Sequence, residues 1–152
     1  MDYVEETIGK YEKYINPAQA KLFRFMGLGS IEASAQGWTI TDSEGRQFTD
    51  FLGGYGMFAV GHRHPKVVEA VEKELHGMPM CGKVLFNRPM ADLSELLAEI
   101  TPGDLQYSFF VNSGTEAVEG CLKMARLATK RTKFVAAKDA FHGKTMGSLT
   151  AT

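Results

Sequence analysis

The sequence predicts an α/β fold with a parallel sheet begun in its second half, on three observations. An apolar run at 107–111 passes through Asn112-Ser113-Gly114-Thr115 into an amphipathic pattern at 116–129, and a second apolar run follows at 134–137. Strand, helix, strand with a crossover of that length is a βαβ unit. Upstream, short β segments at 31–35, 38–41 and 47–51, with Asp42-Ser43-Glu44-Gly45 as a turn, make a small antiparallel unit framed by helical periodicities.

In chain order, Val4, Ile8, Tyr11 and Ile15 recur at three- and four-residue steps and give a helix at 3–14. Asn16-Pro17 caps it and restarts a second helix, 18–26, which stops at Gly27 and Gly29. After the β unit, Gly53-Gly54-Tyr55-Gly56 requires unusual dihedrals or a close neighbour. His62-Arg63-His64-Pro65 starts a helix at 66–76 with Val67, Val68, Val71 and Leu75 inward, ended by Gly77. A loop at 78–87 leads to a helix at 89–100 with Met90, Leu93, Leu96, Leu97 and Ile100 inward, broken by Thr101-Pro102-Gly103-Asp104. In the helix at 116–129, Val118, Cys121, Leu122, Ala125 and Ala128 share the core face. Glu119, Lys123 and Arg126 fall largely on the other. A further helix begins near the end. The alternation is cut off as it starts, so the chain is expected to be the front of a longer protein. Residues 1–60 then form a helical arm with the small β unit, and 61–152 the truncated start of a large α/β domain.

Composition narrows the function classes. The 152 residues are 44% apolar and 23% charged, ordinary for a globular protein. Seventeen basic against eighteen acidic residues leave a net charge of -1, so neither nucleic acid nor an anionic membrane is an expected partner. Cys81 and Cys121 sit in no CxxC pattern, and no stretch reads as a leader or a membrane span. A reduced, cytoplasmic protein is expected.

Two segments carry candidate chemistry. The strand-to-helix turn at Ser113-Gly114-Thr115 aims free N–H groups and the positive end of a helix dipole at one spot, which suits a phosphate. Ser113 and Glu116 also have the spacing of a capping box, which is the structural alternative. Phe141-His142-Gly143 follows the second strand at the same sheet edge, where open α/β sheets bind ligands. There an aromatic ring can stack on a flat heteroaromatic group, or Phe141 can be core and His142 surface. Gly143-Lys144-Thr145 lacks the first glycine of a P-loop, because position 138 is Lys138. His62, His64, His76 and Cys81 match no zinc spacing, so no metal site is expected.

Assembled, these residues resemble the N-terminal part of the class III pyridoxal-phosphate-dependent aminotransferases, the ornithine, acetylornithine, putrescine and 4-aminobutyrate group. The resemblance rests on Asp50-Phe51-Leu52-Gly53-Gly54-Tyr55-Gly56, Gly61-His62-Arg63-His64-Pro65, Asn112-Ser113-Gly114-Thr115-Glu116-Ala117 and Phe141-His142-Gly143-Lys144-Thr145, in that order. It implies the fold type I transferase fold and pyridoxal 5'-phosphate as cofactor. Ser113, Gly114 and Thr115 would hold the cofactor phosphate, Phe141 would stack on its ring, and His142 would lie against the ring or its neighbour. Tyr55 would stand near the substrate entrance of a homodimer. The activity implied is amino transfer between an amine or ω-amino acid and a 2-oxo acid, with a slight leaning to the putrescine branch. A glutamate-1-semialdehyde aminomutase-like enzyme and a non-catalytic cofactor-binding or dimerisation fragment are the alternatives. The Schiff-base lysine and the aspartate facing the pyridine nitrogen are expected after Thr152, so these residues alone are expected to be inactive.

Overall fold

The computed structural model describes residues 2–82 and 84–152; Met1, and Lys83 within the expected 78–87 loop, lie outside them. Internal contacts divide the chain into two compact units, Met1–Cys81 and Gly82–Thr152.

In the first unit, helix α1 (Tyr3–Tyr14) and helix α2 (Pro17–Phe25) form a hairpin. Asn16 sets the start of α2: its side-chain oxygen accepts from the N–H of Ala18 at 3.0 Å and of Gln19 at 3.1 Å. Arg24 ties the pair together through Glu5 at 2.7 Å. Ala20 is the one buried apolar side chain among the described residues.

Strands β1 (Glu32–Gln36), β2 (Thr39–Asp42) and β3 (Gln47–Thr49) form the expected antiparallel meander in the order β1-β2-β3. Ala35 faces Ile40, and Ile40 faces Phe48; the register shifts between Glu32 and Ser34. Asp42 closes the β2–β3 turn. It accepts from the N–H of Glu44 at 3.0 Å and of Arg46 at 2.8 Å, and from Arg46 Nε at 2.7 Å. Helix α3 (Pro65–Gly77) starts where His64-Pro65 indicates.

The second unit holds helix α4 (Arg88–Ile100), helix α5 (Gly114–Thr129) and the short helix α6 (Met146–Leu149). Asn87 caps α4 by accepting from the Met90 N–H at 3.0 Å.

Two expectations need correction. The runs at 107–111 and 134–137 enter no hydrogen-bonded ladder among the described residues. A parallel strand exists only by pairing with neighbours distant in sequence, and neither run finds one here. The faces of α3 and α4 read as inward are likewise bare: Val67, Val68, Val71, Leu75, Met90, Leu93, Leu96 and Ile100 are all exposed. The accessible surface totals 13340 Å². Two wholly separate bodies of half the mass each would expose only about 9,200 Å² when compactly folded. The amphipathic stripes are present and, Leu97 apart, largely exposed.

Candidate functional site

The site is built at the start of α5. Ser113 is the N-cap, and its hydroxyl oxygen accepts from the Glu116 N–H at 3.3 Å, while Glu116 Oε2 reaches back to accept from the Asn112 N–H at 2.7 Å. The Ser113 cap is therefore formed, although Glu116 binds the N–H before the N-cap and so does not close a capping box. The cap does not exhaust the turn. The Ser113 hydroxyl hydrogen remains to donate, and the N–H groups of Gly114 and Thr115 stand in the first turn, where a helix supplies no carbonyl partner. A methyl built on Gly114 meets nothing within 4 Å, so the space before these donors is open. With the dipole of a 16-residue helix behind it, this donor set fits a phosphate.

The segment after 138 folds onto the same helix end. Thr115 Oγ1 lies 2.7 Å from Ser148 Oγ and 3.2 Å from Thr145 Oγ1. Gly143, at φ 123°, backs directly on Thr115: a methyl there would sit 2.1 Å from Thr115 Oγ1. Phe141 and His142 are thereby carried on a segment fastened to the turn. Phe141 is 70% exposed, with Lys144 Nζ 6.0 Å from its ring centre, and the His142 N–H donates to Thr152 Oγ1 at 3.0 Å. So Ser113, Gly114, Thr115 and Gly143 are brought together, with Phe141 and His142 on the loop that packs against them.

Glu119, assigned to the polar face of α5 by periodicity, is half-buried against α6 instead. Its carboxylate is held below the ordinary range first by the Thr145 hydroxyl and next by the Ser148 N–H. The signal that could have found it is its spacing from Thr115: residues four apart share a helix face.

Tyr55 belongs to the first unit. The glycine-rich turn has both properties expected of it: φ is positive at Gly53 (56°), Gly54 (55°), Tyr55 (56°) and Gly56 (101°), and a methyl on Gly54 would lie 2.7 Å from the Phe58 ring. Tyr55 is a non-glycine residue in the left-handed region and 90% exposed. The turn is pinned at its base by Asp50, which accepts from the N–H of Leu52 and of Gly53, both at 2.9 Å. Asp50 Oδ2 also lies 2.7 Å from His62 Nε2. An ionised carboxylate only accepts, so His62 carries its hydrogen on Nε2. No spacing rule links Asp50 to His62, and the sequence reading missed the pair.

The His62 hydrogen bond, and next the Gly53 N–H, hold the Asp50 carboxyl below the ordinary range. Its contribution to stability is complete above pH about 4 and is lost as pH falls through the lower folded value. His62→Ala is expected to lower the thermal midpoint by several degrees and to speed amide exchange at Leu52 and Gly53. An unchanged midpoint and exchange would remove the pair from this role. Among the described residues no group of three or more His, Cys, Asp or Glu side chains is placed to hold a metal ion. Nor is any helix among them long and apolar enough to cross a membrane.

Comparison with known proteins gives four findings. The family model described as aminotransferase class-III matches residues 29–152. A putrescine aminotransferase of Pectobacterium atrosepticum is 42% identical over 156 residues, which span 97% of this chain and 33% of that protein. Among solved structures, an (S)-enantioselective omega-transaminase from Thermomicrobium roseum superposes with a TM-score of 0.85 at 24% identity, covering 100% of this chain and 36% of the other. A transaminase variant solved with SMBA gives a TM-score of 0.75 at 25% identity, covering 85% of this chain and 31% of that one. The chain thus spans about a third of the length of these relatives.

Proposed function

We propose, from the premise that this chain belongs to the class III aminotransferase family, that its 113–115 turn holds the phosphate of pyridoxal 5'-phosphate and that Phe141 covers the ring. The fold is the N-terminal part of the fold type I transferase fold. The observation that carries the site assignment is the meeting of an open helix start with the aromatic-bearing loop, Gly143 backed on Thr115. Gly114 and Thr115 offer N–H donors, and Ser113 offers its hydroxyl. Gly143 lets the loop that carries Phe141 and His142 close on that helix start.

When bound, the cofactor supplies the electron sink and the carbonyl on which amino groups change partners. The residues here hold and orient it. In the whole enzyme the activity is amino transfer between an amine or ω-amino acid and a 2-oxo acid. The likeness to a putrescine aminotransferase favours a diamine donor. We take the enzyme to be a cytoplasmic homodimer, with 61–152 as the start of its large domain and Tyr55 near the substrate entrance. Lys123, Lys133, Lys138 and Lys144 match no position that bonds the cofactor, so these 152 residues alone bind it without turning it over.

Phe141→Ala tests the ring seat. Its side chain is largely exposed, so far-UV circular dichroism is expected to stay unchanged. Pyridoxal phosphate affinity is expected to fall by about 0.5–1.5 kcal/mol, the worth of an aromatic stack, while inorganic phosphate binds as before. Loss of the fold would make Phe141 core, and unchanged affinity would take it out of the site.

A further inference from the structure

Glu119 spends a charge on a short internal turn. One oxygen, Oε1, accepts three hydrogen bonds: from the Thr145 hydroxyl at 2.5 Å, the Gly147 N–H at 2.8 Å and the Ser148 N–H at 3.0 Å. A carboxylate donates nothing, so the Thr145 hydroxyl hydrogen is committed to Glu119. Thr145 Oγ1 can then only accept from its other hydroxyl neighbours, Ser148 at 2.8 Å and Thr115 at 3.2 Å. Ser148, wholly buried, also takes the Thr145 N–H at 3.1 Å. The Thr145 hydroxyl is therefore oriented by Glu119, while the Thr115–Ser148 hydroxyl pair, 2.7 Å apart, can run either way. The space is fitted too: a methyl on Gly147 would lie 2.3 Å from Glu119 Oε2.

Thr115 and Glu119 stand four residues apart on one face of α5 and grip the same four-residue turn. Thr115 belongs to the phosphate turn, and the gripped turn lies just beyond the loop that bears Phe141. We propose that Glu119 is a positioning residue, which locks the 139–148 segment onto the start of α5 and so fixes where the Phe141 ring stands relative to the phosphate seat. The inference rests on the reading of 113–115 and Phe141 as the two cofactor seats. Glu119 acts through Thr145, Gly147 and Ser148 and does not touch the cofactor.

The test compares wild type, Glu119→Ala and Glu119→Gln in separate titrations with pyridoxal 5'-phosphate and with inorganic phosphate. The induced circular dichroism of the bound cofactor reports ring orientation, and amide exchange reports the 145–148 turn. Glu119→Ala is expected to exchange faster at Gly147 and Ser148, to lose most of the induced band, and to bind pyridoxal phosphate about tenfold more weakly with inorganic phosphate unaffected. Glu119→Gln is expected to recover most of the band, because an amide oxygen still accepts. An unchanged band and affinity in Glu119→Ala despite faster exchange would overturn the proposal, as would equal losses for pyridoxal phosphate and inorganic phosphate. Should the alanine variant fail to fold, Glu119→Asp replaces it: its shorter reach must displace the segment, and a wild-type band would again overturn the proposal. Wild type binding no pyridoxal phosphate would overturn the parent reading and this one with it. Wild-type binding with indifferent variants sinks this one alone.

Discussion

Gly143→Ala is expected to abolish pyridoxal phosphate binding and to lower the stability of the protein by about 3 kcal/mol, the sum of backbone strain and overpacking. At φ 123° the backbone is in a region that L side chains rarely adopt, and the new methyl would meet Thr115 Oγ1 at 2.1 Å, Thr115 Cβ at 2.6 Å and Ser148 Oγ at 2.8 Å. None of these atoms is the end of a long flexible side chain: Thr115 is fixed on α5, and Ser148 is fully buried. The 139–148 segment must therefore move off the helix and take Phe141 with it. Urea denaturation measures the first effect and cofactor titration the second. A variant with wild-type affinity would show that the close approach at 143 does not position the site.

The second large effect is expected from Ser113→Ala combined with Thr115→Ala, which should weaken pyridoxal phosphate binding by about 1–3 kcal/mol, the range for charge-assisted hydrogen bonds lost at a phosphate. The two substitutions act differently. Ser113→Ala removes a cap worth about 0.5–2 kcal/mol as well as a hydroxyl donor. Thr115→Ala leaves its N–H in place and cuts the links to Ser148 and Thr145. The single variants separate these contributions, with helix stability read by far-UV circular dichroism and affinity by titration. A double variant that loses helix stability and keeps its affinity would make the turn a helix cap and nothing more.

What the sequence made legible is what local chemistry decides. Asn16-Pro17, His64-Pro65 and the stretch around Asn87 place helix starts to within two residues, because capping side chains and proline act over one turn. The meander was legible for a similar reason: its strands pair with their neighbours across turns of two to four residues. The runs at 107–111 and 134–137 read as strands by composition, but a ladder needs partners that local sequence does not name. The stripes on α3 and α4 likewise say that a face is made to be covered and not what covers it.

Within the candidate site, Ser113, Gly114 and Thr115 were legible as a helix start, whereas nothing in the sequence named Thr115 as the neighbour of Gly143. Glu119 was hidden by its charge. Periodicity assigns a carboxylate to the solvent side, whereas three donors presented by one short turn bring it inward. Asp50 and His62 were hidden by distance along the chain, twelve residues apart with a glycine-rich turn between them.

The most direct test of the central claim is a pair of titrations of the wild-type protein, one with pyridoxal 5'-phosphate and one with pyridoxal, which differ only in the phosphate. If the start of α5 is the phosphate seat, pyridoxal phosphate binds saturably, inorganic phosphate competes with it, and pyridoxal binds about a hundredfold more weakly or not at all. Equal affinity for the two, or binding that inorganic phosphate leaves untouched, would contradict the claim.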